Sequence, residues 1–274
     1  MISIIYNDKK NECLKIAENS AKILGLTGTD RLFPLDAAIN EEKRDEIFSK
    51  ADIIAVVGGD GTILKVAKIA AKVGKPIIGI NAGRYGYLAS IGADDLTALA
   101  RLNDGDFTVE NRAMILAQLF DGEKLLSECH CLNDAVISHG AITTIIDLKL
   151  KLDNDEFGYR ADGVIAATPS GSTAYSMSAG GPIVDPTLDC FLLTPICPHT
   201  LVTRPMVINS TKTVLITVDS SKNATMYLSC DGENQAEIKR GNTVKISRSL
   251  VTAKFIKLND VSVYKVFSEK SKNI

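Results

Sequence analysis

The chain has 274 residues, 45% of them hydrophobic, which is enough to bury a substantial core and to build two lobes. Its 31 lysines and arginines nearly balance 33 aspartates and glutamates, and the net charge of -2 supplies no broad positive field for a nucleic-acid partner. The N-terminus turns polar at once, and no apolar run approaches the roughly 20 residues of a membrane-spanning helix. These features predict a cytoplasmic protein without a membrane partner.

The first part of the chain alternates apolar runs with stretches of helical periodicity. Strands are predicted at residues 2–6, 53–57 and 76–80. Helices are predicted after the first two strands from the spacing of Leu14, Ala17, Ala21 and Leu24, and of Ile63, Ala67 and Ala70. Strands that alternate with helices pair in parallel through right-handed crossovers, an arrangement that places ligands at the carboxyl ends of the strands.

Beyond about residue 105 the pattern changes to short apolar stretches separated by Asp, Asn and Gly, which is typical of a β-rich lobe. Examples are residues 113–120, 145–152, 214–218 and 244–247. No internal repeat and no long linker interrupts the chain.

Six cysteines stand at positions 13, 129, 131, 190, 197 and 230, without a Cys-x-x-Cys pair. Cys129 and Cys131 flank His130, and alternation along a strand predicts that both sulfurs face the core. We therefore expect reduced structural thiols and no dedicated protein ligands for a metal.

A loop of three glycines and one aspartate, Gly-Gly-Asp-Gly at residues 58–61, follows a buried strand and precedes a helix. Its amides can converge on a phosphate near the positive end of the helix dipole, and glycines allow close approach and positive φ. Asp60 would repel phosphate unless it accepts a proton from an attacking hydroxyl or helps to hold Mg²⁺. The structural alternative is that Asp60 or Thr62 only caps the helix.

A second stretch, residues 162–182, is dense in hydroxyl groups and glycines. A short strand ends at Thr168-Pro169, and the turn that follows can cap a helix and present donors and acceptors to a ligand. Tyr175 could add a stacking face. Composition alone favours an ordinary Ser/Gly-rich loop with ordinary capping.

The chain resembles the NAD kinase family through Gly-Gly-Asp-Gly at 58–61, Thr-Pro-Ser-Gly-Ser-Thr-Ala-Tyr at 168–175 and Gly-Gly-Pro at 180–182. Further similarity lies at residues 81–88, Asn133-Asp134, residues 195–201, Arg204-Pro205 and Asp231-Gly232. The resemblance covers roughly residues 50 to 235 in order.

This resemblance implies transfer of the terminal phosphate of ATP to the 2′-hydroxyl of the adenosine ribose of NAD, with Mg²⁺ present. It also implies a Rossmann-like α/β N-terminal lobe, a β-rich C-terminal lobe and a last segment that returns to the first lobe. The corresponding domain limits are 1–105 for the α/β domain, 106–250 for the β-rich NAD-binding domain and 251–274 for the returning segment.

The resemblance further assigns roles to individual residues. Asp60 would activate or orient the ribose hydroxyl. The phosphates of ATP would contact Gly58, Gly59, Gly61 and Thr62, and also Arg84, for which an exposed loop position is equally compatible. NAD would contact Asn133, Asp134, Arg160, Asp162, Ser170, Thr173, Ala174, Tyr175 and Ser178.

Two positions depart from the family pattern. Tyr87 stands where Phe is usual, and Asp134 stands where Glu is commoner. Because Asp134 is one methylene shorter, its hydrogen bond to substrate would be longer or mediated by water. His199 lies in a Pro-His-Thr stretch, where we expect a buried hydrogen-bonding role instead of acid-base chemistry.

Three other functions share part of this pattern. A diacylglycerol-type lipid kinase has the Gly-Gly-Asp-Gly loop but would not need the polar segment 162–182, and a phosphofructokinase-like enzyme fits less well. A non-catalytic NAD(P)-binding regulator would keep the pocket without Asp60. The family forms homodimers or homotetramers, so the resemblance also implies a homo-oligomer.

Overall fold

The structure, a computed structural model, describes residues 1–26, 31–83, 86–140, 145–200, 202–218, 225–259 and 262–272. The chain divides into two compact units, which we call unit 1 and unit 2. Unit 1 comprises Met1–Arg112 and Thr252–Ile274, and unit 2 comprises Ala113–Val251.

Unit 1 contains one seven-stranded sheet with helices. Its strands are β1 (Ile2–Tyr6), β2 (Leu32–Pro34), β3 (Ile53–Gly58), β4 (Ile77–Asn81), β5 (Ile91–Gly92), β6 (Thr108–Arg112) and β19 (Ala253–Lys257). Its helices are α1 (Asn11–Ile23), α2 (Leu35–Ile39), α3 (Glu41–Ser49), α4 (Asp60–Lys72), α6 (Val263–Ser271) and a 3₁₀ helix at Leu96–Leu102.

The strand order in this sheet is β2-β1-β3-β4-β19-β6, and β5 pairs with β4. Strands β1, β3 and β4 are parallel neighbours, in register at Val57↔Ile80 and Gly58↔Asn81. The predicted strands and helices of this lobe are thus confirmed. Because β3 and β4 end side by side, the two glycine-containing loops that follow them emerge at the same edge of the sheet.

The buried face of α1 differs from the predicted one. Cys13, Ala17, Ser20 and Ala21 are buried, whereas Leu14 is 40% exposed. Cys13, Ala17 and Ala21 follow the spacing of four residues that keeps side chains on one helix face, and Leu14 lies beside that face. Small side chains on the buried face let the helix lie close to the sheet.

The last strand of the chain, β19, completes the sheet of unit 1. It pairs in parallel with β4 and antiparallel with β6. Phe255 is fully buried, and the guanidinium of Arg112 lies 4.5 Å from the centre of its ring. The predicted return of the last segment to the first lobe is confirmed.

Unit 2 consists of two six-stranded antiparallel sheets. The first, in the order β11-β10-β15-β18-β7-β8, is built from β7 (Ile115–Asp121), β8 (Lys124–Cys131), β10 (Ile146–Leu152), β11 (Asp155–Ala161), β15 (Val214–Val218) and β18 (Thr243–Arg248). The second, in the order β14-β13-β12-β9-β16-β17, is built from β9 (Asp134–His139), β12 (Gly163–Ala167), β13 (Cys190–Ile196), β14 (Met206–Asn209), β16 (Met226–Cys230) and β17 (Glu233–Ile238).

One hydrophobic cluster joins the two sheets of unit 2. In β10, Ile146, Leu148 and Leu150 are buried while Asp147, Lys149 and Lys151 are exposed, as the period of two in a strand requires. The same cluster takes Val164 and Phe191 from the other sheet. The predicted β-rich lobe is confirmed.

The domain limits inferred from sequence at residues 105 and 250 stay a prediction. The compact units separate at Arg112 and again after Val251, so that β6 lies in unit 1. No helix in the part of the chain that the structure describes is long and apolar enough to cross a membrane.

The cysteines show one difference from expectation. Cys131 is buried and Cys129 packs against the core, as predicted. Cys129, however, forms a disulfide with Cys230, so these two positions are not reduced thiols in the structure. The expectation was wrong because a partner 101 residues away cannot be found from spacing alone.

Candidate active site

Asp60 is the first residue of α4, directly after the N-cap Gly59. Its carboxylate does not cap the helix. One oxygen instead accepts a hydrogen bond from the amide of Tyr87 (2.9 Å) and the other from the amide of Leu88 (3.2 Å). The alternative that Asp60 only caps α4 is therefore wrong, because the loop after β4 holds the carboxylate.

Steric crowding within the protein explains only one of the three glycines of this loop, and backbone conformation explains none of them. None of Gly58, Gly59 and Gly61 has a positive φ, so that expectation was wrong. A side chain at Gly58 would collide with Thr62, 2.7 Å from its Cβ. At Gly59 and Gly61 an added Cβ would meet nothing within 4 Å. Crowding by the described protein atoms therefore does not explain why glycine stands at Gly59 and Gly61.

The amides at the start of α4 suit an anion. The first N–H groups of any α-helix lack intrahelical acceptors, and the helix dipole adds partial positive charge there. Gly59, Asp60 and Gly61 lie at this end, and the open positions beside the two glycines allow an oxygen to approach the backbone.

Thr62 is buried, and its hydroxyl accepts a hydrogen bond from the side-chain amide of Asn7 (3.0 Å). Asn7 follows β1, and its backbone amide donates to the carbonyl of Val57 in β3 (3.0 Å). Sequence reasoning missed Asn7. The available signal was its position after a strand parallel to β3, which places it at the same sheet edge.

The loop after β4 approaches Asp60 closely. An added Cβ at Gly86 would overlap the carboxylate of Asp60. Burial, followed by the charge of Asp60, raises the pKa of Tyr87. Arg84, a predicted phosphate contact, lies outside the described residues.

In unit 2, the predicted NAD contacts are Asn133, between β8 and β9, and Asp134, the first residue of β9. Asp231 holds both. The carboxylate of Asp231 accepts hydrogen bonds from three successive amides, those of Leu132 (3.0 Å), Asn133 (2.7 Å) and Asp134 (3.1 Å). Asp231 (φ 50°) and Gly232 (φ 79°) form the two-residue turn between β16 and β17, where positive φ favours Asp-Gly.

Asp134 itself is 5% exposed. Burial, and secondly the charge of Asp231, raises the pKa of Asp134 from 3.8 to about 7. Its carboxyl group therefore retains a proton in slightly acidic solution, and can then donate as well as accept a hydrogen bond.

The turn after β12 is joined to the same region. The amide of Thr168 donates to the carbonyl of Asn133 (2.8 Å), and its hydroxyl donates to the carbonyl of Leu132 (2.5 Å). Gly171 packs so closely on Asn133 that a side chain there would strike its backbone. Asn133-Asp134 and the hydroxyl-rich turn after β12, which the sequence identified separately, are thus in direct contact.

The hydroxyl-rich stretch divides into buried and accessible groups. It forms a 3₁₀ helix at Ser170–Thr173 and a short helix α5 at Tyr175–Ser178. The buried hydroxyls of Ser172 and Ser176 bond Val184 and Thr194, respectively, so their role is structural. Ser170 is also buried, whereas Thr173 and Ala174 are half-buried and Tyr175 and Ser178 are exposed. Thr173, Ala174, Tyr175 and Ser178 thus keep surface that a ligand can reach.

Asp162 directly precedes β12, and Arg160 lies near the end of β11. The five residues of β12 separate Asp162 from Thr168 by about 20 Å. Arg160 lies 3.7 Å from Asp147, and the Nε2 atom of His199 lies 3.9 Å from Asp162. His199 is 46% exposed, so its predicted burial was wrong. Unit 2 thus does not bring Asp162 beside Asn133.

Comparison with known proteins covers both units. Family models match residues 7–107, as the ATP-NAD kinase N-terminal domain, and residues 132–258, as the ATP-NAD kinase C-terminal domain. An NAD kinase of Acetivibrio thermocellus is 37% identical over 281 residues, which cover 98% of this chain and 96% of the relative. The chain belongs to the NAD kinase family.

Solved structures agree with this membership. An NAD kinase from Archaeoglobus fulgidus in complex with ATP has a TM-score of 0.77 at 27% identity, and the match covers 99% of this chain and 98% of the other. A yeast NADH kinase complexed with NADH has a TM-score of 0.83 over 99% and 88% of the two chains, and at 20% identity it shows the fold alone. The match to NAD kinases along both units decides against the lipid-kinase alternative, which shared only the loop.

Proposed function

We propose that this NAD kinase family member transfers the terminal phosphate of ATP to the 2′-hydroxyl of the adenosine ribose of NAD, with Asp60 as the catalytic residue. The observation that carries this proposal is the carboxylate of Asp60, fixed by two backbone amides beside the open glycines at the start of α4.

The phosphates of ATP bind the loop formed by Gly58, Gly59, Gly61 and Thr62. The N-terminus of α4 supplies amide donors and partial positive charge, and the missing side chains allow the oxygens to come close. Arg84 stays a predicted phosphate contact.

In the reaction, the ribose hydroxyl oxygen attacks the terminal phosphorus of ATP, and the bond from this phosphorus to the bridging oxygen of ADP breaks. The hydroxyl proton passes to the carboxylate of Asp60. Each Asp60 oxygen already accepts one amide hydrogen bond, and a carboxylate oxygen can accept a second, so the group is oriented and still able to take the proton.

Mg²⁺ fits the donor set at this loop. Mg²⁺ is usually held by one or two carboxylates together with substrate phosphates, and not by a cage of protein ligands. Asp60 supplies a carboxylate of this kind, and Mg²⁺ would neutralise charge on the phosphates.

NAD binds residues of unit 2. Asn133 and Asp134 are held in place by Asp231, and Ser170 joins them through the turn at Thr168. The remaining contacts are Thr173, Ala174, Tyr175 and Ser178 on the turn after β12, Asp162 directly before that strand, and Arg160 in β11.

The Asp60→Asn variant tests the catalytic role. Because the amide cannot take the proton, we expect turnover to fall by about 10² to 10⁴-fold while NAD binding is largely unchanged. Purified protein is incubated with NAD, ATP and Mg²⁺, and NADP is measured with an NADP-specific dehydrogenase. Unchanged turnover would remove Asp60 from the mechanism.

The same assay addresses the regulator alternative and the acceptor. Wild-type protein that binds NAD but forms no NADP would favour a non-catalytic regulator, and phosphorylation of a lipid acceptor without NADP formation would contradict our proposal. A homodimer or homotetramer is proposed from the family resemblance and is tested by light scattering. Cytoplasmic location also stays a proposal.

A further inference from the structure

Three cysteine sulfurs meet in unit 2. Cys129 and Cys131 lie on β8, and Cys230 is the last residue of β16. The Sγ atoms of all three lie within 4.8 Å of one another. Within the described ranges, this is the one group of three or more His, Cys, Asp or Glu side chains close enough to share a cation.

A disulfide does not account for the whole cluster. Cys129 is bonded to Cys230, while Cys131 keeps its thiol and is fully buried. The Sγ atoms of Cys129 and Cys131 are 3.9 Å apart. The sulfur of Cys131 therefore lies beside the disulfide but takes no part in it.

The distance between these sulfurs suits a shared cation. Zinc–sulfur bonds are about 2.3 Å, so two sulfurs on one tetrahedral zinc ion are about 3.8 Å apart. Cys129 and Cys131 are separated by two positions on one strand, which directs both side chains to the same face. The strand alone thus supplies two ligands at the correct spacing, and Cys230 supplies the third.

The ligand type defines the class of cation. Thiolates bind Zn²⁺ and Cu(I) in preference to Mg²⁺ or Ca²⁺. Cys131 and Cys230 are buried, and Cys129 is half-buried. Three thiolates leave the fourth tetrahedral position of such a cation for water.

We propose that the reduced protein binds one thiophilic cation of the Zn²⁺ class through Cys129, Cys131 and Cys230. A dithiol reductant first transfers two electrons and two protons to the Cys129–Cys230 disulfide, yielding two thiols and the oxidised reductant. The three thiols then release up to three protons as their sulfurs bind the cation.

The three cysteines lie next to the residues that hold the proposed NAD contacts. Cys131 directly precedes Leu132, and Cys230 directly precedes Asp231, whose carboxylate binds the Leu132 amide. A cation on these sulfurs would brace the turn that carries Asn133 and Asp134. This consequence rests on the proposed NAD contacts, whereas cation binding itself does not.

Cobalt is the probe for the cluster. Full-length protein is reduced with a dithiol without oxygen, freed of reductant and titrated with Co²⁺. We expect one Co²⁺ per chain, with thiolate-to-cobalt absorption that disappears when Zn²⁺ is added. Absence of this absorption in reduced wild-type protein would overturn the proposal, whatever any variant does.

Variants identify the ligands. Cys131→Ser leaves both disulfide partners in place and should weaken Co²⁺ binding by more than about 100-fold, because even outer-shell partners contribute about 10- to 100-fold. Cys197→Ser, at the exposed free cysteine of the same unit, is the matched control and should bind like wild type. Equal affinity of Cys131→Ser and wild type would exclude the three-sulfur site.

Oxidation provides a second test that needs no variant. Wild-type protein with the Cys129–Cys230 disulfide intact keeps one thiol of the cluster and should give no thiolate-to-cobalt absorption. Tight binding in this form would contradict the proposal. Because absorption is read without NAD or ATP, failure of the cation site and failure of the kinase activity are distinguished.

Discussion

At the residue scale, the contact between Gly86 and Asp60 shows how the loop after β4 positions the proposed catalytic carboxylate. Two amides of this loop bind the two oxygens of Asp60, and the preceding glycine leaves the space that the carboxylate occupies. Gly86 does not touch the reacting atoms in our proposal, so it is a positioning residue.

The Gly86→Ala variant should displace Asp60 without removing it. We expect the turnover number to fall by about 10²-fold, since a displacement of about 1 Å has that effect on a catalytic group. The steady-state rate of NADP formation and the melting temperature are measured together.

Gly83→Ala is the matched control, because an added Cβ at Gly83 meets nothing within 4 Å. Equal turnover in the two variants would contradict a positioning role for Gly86.

A second residue-scale feature is the proton on Asp134. Burial raises the pKa of this carboxyl group from 3.8 to about 7, with Asp231 adding a smaller effect. Between these two values the folded chain holds a proton that the unfolded chain releases. The free energy of unfolding therefore falls as pH rises through this window and becomes level above it.

The Asp134→Asn variant should lose this dependence. In the wild type, Asp134 lowers the free energy of unfolding by at most about 1.4 kcal/mol for each pH unit within the window. The difference between wild type and variant is measured by urea unfolding at a series of pH values from 3.8 to about 7. A difference that does not change with pH would show that folding does not raise the pKa of Asp134.

At the element scale, the turn between β8 and β9 is fixed by two other connections. The turn after β16 provides Asp231, which binds three amides, and the turn after β12 provides Thr168, which binds two carbonyls. The proposed NAD contacts Asn133 and Asp134 thus have their backbone held from both sides.

The Asp231→Asn variant tests this support. Its amide group lacks the charge and replaces one acceptor oxygen with a donor, so at least one backbone amide loses its partner. We expect the KM for NAD to rise by about 10- to 100-fold, corresponding to the roughly 1.5–3 kcal/mol of hydrogen bonds to a charged group. The turnover number should change less.

Asp153→Asn is the control for the Asp231 variant. Asp153 also has a positive φ (54°) between two strands, but it forms a surface ion pair with Lys212. An equal KM increase in both variants would indicate a general effect of aspartate loss on unit 2.

Sequence periodicity located the elements well, but it did not settle which side chains each element buries. The spacing in α1 predicted the helix, yet Leu14 is exposed and Cys13 is buried. Hydroxyl content marked residues 162–182 without separating the structural Ser172 and Ser176 from the exposed Tyr175 and Ser178. Burial depends on partners from distant parts of the chain, such as Val184 and Thr194.

At the scale of the whole molecule, unit 1 is discontinuous in sequence. Its sheet needs β19, which lies between β4 and β6 and comes from the far end of the chain. Phe255 and Ile256 are fully buried in this strand. Unit 2, by contrast, is formed by the continuous segment Ala113–Val251.

Truncation after Val251 should therefore unfold unit 1 selectively. Removal of β19 exposes the edges of β4 and β6 and removes the buried Phe255, whose replacement by alanine alone would cost about 3–5 kcal/mol. Limited proteolysis is expected to degrade residues 1–112 and to leave a fragment near Ala113–Val251.

A shorter truncation that keeps β19 but removes the residues after Leu258 is the control for this experiment. It leaves the sheet of unit 1 paired and should preserve resistance to the protease. Protection of residues 1–112 in the longer truncation would show that unit 1 folds without its last strand.

The sequence by itself determined the family, the two fold classes and the positions of the glycine-aspartate loop and the hydroxyl-rich turn. These follow from local periodicity and from the order of short motifs, which the chain carries without reference to its fold. Only the tertiary structure decided that the loop after β4 holds Asp60, that Asp231 holds Asn133 and Asp134, and that three cysteines meet. Each of these arrangements needs at least one contact between residues 27 or more positions apart, so it depends on strand pairing and packing that no local pattern specifies.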